Sequence, residues 1–238
     1  EGKGVAVHRI TDDGAASDPP VQRLETARGA HSIQTDPSNR FAFVPHIAGR
    51  GPNEIRQFKF DEQSGHLTPN SPPKVSPERE DGPRHFCFHP SKSLMYFSNE
   101  QGCSVTAYQL DAAAGTLTAL QTVSTLPDGY DGRNTCSKIQ ITPSGKFLYA
   151  PNRGHNSIAG FRVDAATGLL TSVGQAPSET VPRAFSLDPE GNFLYAAGIE
   201  SGRLAAYRID ADSGVLQPLR TYPLGSRPMW VLTMSLPG

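Results

Sequence analysis

The chain has 238 residues, with 22 Lys and Arg against 23 Asp and Glu, a formal net charge of -1 and 37% hydrophobic residues. That length allows a sizeable core in one β domain or two small ones, and the near-zero charge gives no general reason to expect nucleic acid or an anionic membrane as partner. Cys87, Cys103 and Cys136 are odd in number and lack CxxC spacing, so reduced thiols are expected rather than a disulfide framework or a zinc site.

No apolar run approaches the roughly 20 residues that span a bilayer. The opening Glu1-Gly2-Lys3-Gly4 shows neither an initiator Met nor a signal-peptide pattern and reads as a processed or truncated start. The expected location is cytoplasmic.

From the N-terminus, the first run, 5–10, followed by Thr11-Asp12-Asp13-Gly14, looks like a damaged copy of a unit repeated further on. The block Asp36-Pro37-Ser38-Asn39-Arg40-Phe41-Ala42-Phe43 recurs from His89, Thr142 and Asp188, in steps of 53, 53 and 46 residues. Periodicity near this length marks a propeller or repeat array. After each block comes an alternating run, 55–60, 105–110, 158–163 or 204–209, closed by Asp-x-x-x-Gly. That signature is a hairpin whose Gly takes positive φ.

Each repeat therefore reads as four strands. Innermost runs at 31–35, 84–88, 137–141 and 183–187 lead into Phe-x-Tyr-like runs, then the alternating runs, then outer runs such as 117–123. A fifth inner run is expected at 229–234. No segment carries a helical apolar stripe. The fold class is all-β, a β-propeller of four-stranded antiparallel blades. Four complete blades span about 31–83, 84–136, 137–182 and 183–228, with partial-blade strands in 1–30 and 229–238. The whole of 1–238 reads as one domain, a fragment of a longer ring, with a small five-bladed ring as the alternative.

Inner-strand starts and second-strand ends lie at one end of a blade, because these strands are antiparallel neighbours. The starts are His31, Arg84 with His85, Ser137 with Lys138, and Arg183. The ends are His46, Asn99 with Glu100, Asn152 with Arg153, and Gly198. One mouth would collect Arg84, Arg153, Arg183, Lys138, three histidines and Glu100, with His155 at its rim. Loops 70–83 and 124–136 would cover it as a lid. His89 takes the turn slot of Asp36, Thr142 and Asp188 and reads as structural, while His66 falls in an outer hairpin.

An Arg after Gly-Pro or Val-Pro is ordinarily a solvated loop residue. Four cations from three blades aimed at one mouth make a different case. Guanidinium forks bind carboxylate or phosphate, a histidine or Glu100 moves a proton, and an Arg beside a carbonyl stabilises an oxyanion. Those parts open or close a lactone ring. No GxSxG elbow, P-loop or GxGxxG is present, and the acids and histidines lack metal-set spacing, so a site without metal or cofactor is expected.

The chain resembles the seven-bladed β-propeller lactonases, which include bacterial 6-phosphogluconolactonases and the fungal 3-carboxy-cis,cis-muconate lactonizing enzyme. The resemblance rests on Gly82-Pro83-Arg84-His85-Phe86, Ser98-Asn99-Glu100, Pro143-Ser144-Gly145-Lys146-Phe147-Leu148-Tyr149, Asn152-Arg153-Gly154-His155-Asn156-Ser157-Ile158 and Pro182-Arg183. It implies a catalytic set of His31, Arg84, Glu100 and Arg153. His85, Lys138, Asn152, His155 and, on blade geometry, Arg183 are the expected substrate contacts; Met229-Trp230, at the fifth inner-strand start, brings no charge.

The function implied is a metal-free lactone hydrolase of 6-phosphogluconolactonase type. The alternatives are a 3-carboxymuconate cyclase or an idle propeller used as a binding platform. The expected partner is a small anionic lactone or sugar phosphate, not nucleic acid or membrane. A homo-oligomer or a complementing chain at the open edge is also allowed for.

Overall fold

Short runs of alternating residues, punctuated by Pro, Gly and Asp, give strands and no helix among the residues described, 3–235 of a computed structural model. Glu1, Gly2 and residues 236–238, which fall in the two expected partial blades, lie outside that range. The chain begins with a two-stranded sheet, β1 (Gly4–Val7) and β2 (Gln22–Glu25).

Four antiparallel four-stranded sheets follow in chain order. The first is β3 (Gln34–Thr35), β4 (Phe41–His46), β5 (Glu54–Asp61) and β6 (His66–Val75). The second is β7 (Pro83–Phe88), β8 (Leu94–Asn99), β9 (Ser104–Asp111) and β10 (Thr116–Ser124). The third is β11 (Gln140–Ile141), β12 (Phe147–Asn152), β13 (Ser157–Val163) and β14 (Leu170–Pro177). The fourth is β15 (Pro182–Leu187), β16 (Phe193–Gly198), β17 (Arg203–Ile209) and β18 (Leu216–Pro223). Sequence-adjacent strands pair throughout, the arrangement of β-propeller blades.

The chain divides into two compact units, Glu1–Arg84 with Leu110–Thr118, and His85–Gln109 with Ala119–Gly238. In the first unit, β4 is buried along its length, and Ala42, Val44, Phe58 and Leu67 pack with Val5, Val7 and Leu24. Gln22 clasps the backbone of Leu67 from both sides: its Nε2 donates to the carbonyl (3.0 Å) and its Oε1 accepts from the amide (2.7 Å). In the second unit, Gln121 repeats the clasp on Leu170. Its core runs through Leu94, Tyr96, Leu148 and Phe161, and through Phe147, Tyr149, Phe185 and Tyr207.

The repeated turns do what their residues dictate. Asp36 accepts from the amides of Arg40 and Phe41 at 2.9 and 2.8 Å, and Asp188 accepts from Phe193 at 2.6 Å. His89 sits in the same slot and accepts at Nδ1 from the Ser91 amide (3.1 Å), a turn role. In the hairpins, Asp164 accepts at Oδ1 from the amides of Ala166 and Thr167, and Gly168 follows at φ 74°. Gly168 also has no room for a side chain, since a Cβ would stand 2.0 Å from Leu94 Cδ1.

Three strand expectations are corrected. The inner strands β3 and β11 are two residues long, and the pairing ahead of them is reduced to the isolated bridges Ala30–His46 and Cys136–Asn152, while Ser137 Oγ donates to Pro182 O (3.1 Å). Residues 70–75 continue β6 rather than opening a loop. Residues 229–234 form no strand, and Met229, Trp230, Leu232 and Met234 are exposed. That segment is tied instead through Thr233, whose amide donates to Ser186 Oγ (3.3 Å).

Candidate functional site

In the second unit, two asparagines end second strands and hand the next residue outward. Asn99 Nδ2 donates to Ser104 Oγ (2.9 Å) and Thr106 Oγ1 (2.8 Å), fixing the turn from β8 to β9. Asn152 is fully buried; its Nδ2 donates to Thr125 O (2.8 Å) and Ser157 Oγ (3.2 Å), and its Oδ1 accepts from Thr125 Oγ1 (2.7 Å) and Asn134 Nδ2 (2.9 Å). The Asn152 amide is taken up in holding the loop between β10 and β11. Glu100 and Arg153 are the residues these asparagines present.

Arg153 Nη2 meets Glu100 Oε1 at 3.1 Å, with side chains 13% and 16% exposed. The same Nη2 donates to Cys136 O (2.9 Å), and the Arg153 amide donates to Thr135 O (3.0 Å). The Cys136 amide donates to Glu100 O (3.1 Å), so one short segment holds both members of the pair. A guanidinium carries five N–H donors. Those on Nη1 take no partner among the described residues, which leaves one edge of the fork for a ligand.

The same unit holds other expected residues. His155 Nδ1 lies 2.7 Å from Ser157 Oγ, its amide donates to Asn134 Oδ1 (3.1 Å), and its ring meets Tyr130 edge to face at 4.8 Å. The His85 amide donates to Ser98 Oγ (3.3 Å), and its Nδ1 lies 3.3 Å from Ser137 O. Lys138 Nζ sits 4.6 Å from the centre of the Trp230 ring, and burial pushes its pKa down. Arg183 is the extra residue of a bulge between Pro182 and Ala184, a device that re-aims a side chain.

Sequence reasoning missed Tyr130 and gave Trp230 a place at an inner-strand start but no role. Tyr130 carried a signal, a lone aromatic among Asp and Gly from Asp128 to Gly132. A hollow of 640 Å³ lined in part by Glu200, Arg203, Pro223 and Arg227 was not anticipated either.

The first unit holds His31 and Arg84. The His31 amide donates to Pro45 O (3.1 Å), and His31 lines a hollow of 250 Å³ with Val5, Ser32, Ile33 and Val44. Arg84 is 2% exposed, not the solvated loop residue its Gly-Pro context suggested, and its carbonyl accepts from Ser32 Oγ (3.0 Å). His46 is corrected: it is fully buried, with Nδ1 3.0 Å from Val44 O and Nε2 3.0 Å from Thr26 Oγ1. Burial lowers its pKa, against the bond to Val44. Glu54, which the sequence did not single out, is buried and bound by Lys74 (2.7 Å) and Arg56 (2.9 Å).

Comparison with known proteins matches residues 2–233 to the family model described as "Lactonase, 7-bladed beta-propeller". The chain is 37% identical over 235 residues to a 6-phosphogluconolactonase of Pectobacterium carotovorum, covering 99% of this chain and 69% of that protein. It is 36% identical over 232 residues to a 6-phosphogluconolactonase of Erwinia tasmaniensis, covering 98% and 68%. Among solved structures, the periplasmic gluconolactonase of Pseudomonas aeruginosa superposes with a TM-score of 0.86 at 27% identity. That match covers 94% of this chain and spans 64% of the other.

Proposed function

This chain belongs to the lactonase family of seven-bladed β-propellers and, like its 6-phosphogluconolactonase relatives, is a lactone hydrolase; we propose that its substrate is the phosphorylated sugar lactone 6-phosphogluconolactone. The observation that carries the proposal is Arg153, locked on one edge by Glu100 and Cys136 O and open on the other among the described residues. A fork so fixed presents two N–H donors to a carbonyl oxygen as charge develops on it, without reorganising at the moment of reaction.

In the proposed reaction, water adds to the lactone carbonyl while Glu100 takes its proton. Arg153 stabilises the oxyanion, and the ring C–O bond then breaks. The departing alkoxide recovers a proton from Glu100, so one water is consumed and a hydroxy acid forms. Arg183, Lys138, His85 and His155 are proposed as contacts to the phosphate and hydroxyls, since cations and ring N–H donors suit those groups. His31 and Arg84 enter the proposal from the family pattern. Three free thiols suit a reducing compartment, so we place the reaction in the cytoplasm.

The test is hydrolysis of freshly generated 6-phosphoglucono-δ-lactone by the wild-type chain and by Arg153→Ala. Loss of one preorganised oxyanion donor should lower kcat by about 10²–10³. Unchanged turnover in a folded Arg153→Ala protein would sink this site. Turnover of 3-carboxymuconolactone but not of the sugar lactone would move the substrate to the cyclase class.

A further inference from the structure

Every third strand of the four large sheets begins just after a residue at positive φ. In three sheets that residue is Asn or Gly: Asn53 at 55°, Asn156 at 56° and Gly202 at 64°. These are the types that tolerate the left-handed region. Before β9 it is Cys103, at 47°. A residue of another type held there points to a local purpose.

The neighbouring slot is exchanged as well. Asn53 Oδ1 accepts from the Gly82 amide (2.9 Å), just before Pro83, and Asn156 Oδ1 accepts from the Val181 amide (2.9 Å), just before Pro182. One residue further on, where the chain has Pro83 and Pro182 after those amides, the corresponding residue is Cys136, fully buried and bridged to Asn152 as Pro182 is paired with Gly198. Cys103 Sγ lies 3.3 Å from Asn134 O, and Thr125 Oγ1 reaches both Cys103 O (2.9 Å) and Cys136 Sγ (3.2 Å). Where two other sheets place an asparagine and a proline, this one places two thiols, one partly exposed and one buried, joined through Thr125.

We propose that Cys103 and Cys136 are a peroxide-reactive dithiol. The Cys103 sulfur attacks a hydroperoxide oxygen, so an S–O bond forms and the O–O bond breaks. Cys103 is oxidised to the sulfenic acid, and the peroxide, reduced, leaves as the alcohol or as water. Cys136 sulfur then attacks Cys103 sulfur; the S–S bond forms, the S–O bond breaks, and hydroxide leaves as water with the proton from Cys136.

The neighbouring Cys136 thiol holds the Cys103 pKa below the ordinary thiol value, helped by Asn134 and the Arg153 charge and opposed by burial. Cys87, by contrast, has its pKa raised by burial. Because the Cys136 amide and carbonyl hold Glu100 and Arg153, closing the bond lowers lactone turnover severalfold and reduction restores it.

The test exposes the folded chain to hydrogen peroxide, blocks remaining thiols and maps the cysteines by mass spectrometry without reduction. The expected result is a Cys103–Cys136 cross-linked peptide ahead of any change at Cys87, reversed by dithiothreitol. Cys136→Ala should instead accumulate a dimedone adduct at Cys103. Cys103→Asn, which restores the residue of the other sheets, should give neither product and keep its turnover under peroxide. Oxidation of Cys87 first, or no modification of Cys103, would overturn the proposal, and a complete disulfide with unchanged turnover would overturn its regulatory half. Absence of turnover in the reduced protein would count against the lactone reading alone, since the peptide map does not depend on it.

Discussion

Arg153 and Glu100 are each restrained, and the restraint separates their roles. Arg153→Lys keeps the charge but loses the planar fork that binds Glu100 and Cys136 O through Nη2 while presenting Nη1. It should leave the fold intact and lower kcat by about 10–10², short of the loss in Arg153→Ala. Glu100→Gln still accepts from Arg153 but carries no proton, so kcat should fall by about 10²–10⁴ with little change in KM. A wild-type kcat in that variant would remove Glu100 from proton transfer.

Another residue, His46, sets a pH dependence of stability. Burial lowers its folded-state pKa below the unfolded value of about 6.5, so the unfolded chain binds the proton first as pH falls. Its contribution is therefore fully present above about pH 6.5 and is lost below it, by up to about 1.4 kcal/mol per pH unit. His89, also lowered by burial, adds to the same slope. Urea midpoints measured between about pH 7 and 5 should fall, and His46→Gln should flatten part of that fall.

At the scale of the element, the hairpin glycines separate backbone strain from crowding. Gly14 and Gly168 both have positive φ, at 81° and 74°, but a Cβ on Gly14 meets nothing within 4 Å and one on Gly168 meets Leu94 Cδ1 at 2.0 Å. Gly14→Ala should cost about 1–2 kcal/mol for the left-handed conformation alone. Gly168→Ala should cost a further 1–3 kcal/mol, approximately, for overpacking the buried Leu94. Equal urea midpoints for the two variants would mean that Leu94 moves aside freely.

The same hairpins show what the sequence made legible. Asp-x-x-x-Gly and the Pro-Ser turns encode local hydrogen bonds, so the turns, the four-stranded sheets and the Glu100 and Arg153 positions follow from the repeat. Partners distant in the chain are not local. Nothing near Lys138 announces Trp230, 92 residues on and 4.6 Å away, nor does the His46 run show that both ring nitrogens are spent internally. The bulge that displaces Arg183 is a register shift against β16, which alternation within one strand does not reveal.

For the whole molecule, a net charge of -1 provides no long-range field to draw in a doubly charged phosphate ester. Recognition must come from cations close to the ligand, which act over short distances and partly out of solvent. Hydrogen bonds to charged groups contribute about 1.5–3 kcal/mol each, so two of them on phosphate amount to a preference of about 10² or more.

If Arg183 and Lys138 contact the phosphate, kcat/KM for 6-phosphoglucono-δ-lactone should exceed that for unphosphorylated glucono-δ-lactone by about this factor, and Arg183→Ala should narrow the gap. The rate should also fall only modestly between about 0.01 and 0.15 M ionic strength, as the Debye length shrinks from about 30 to 8 Å. A steep salt dependence would place recognition in a diffuse surface field. Equal rates on the two lactones would mean that the open edge of Arg153 meets a lactone with no anion held beside it.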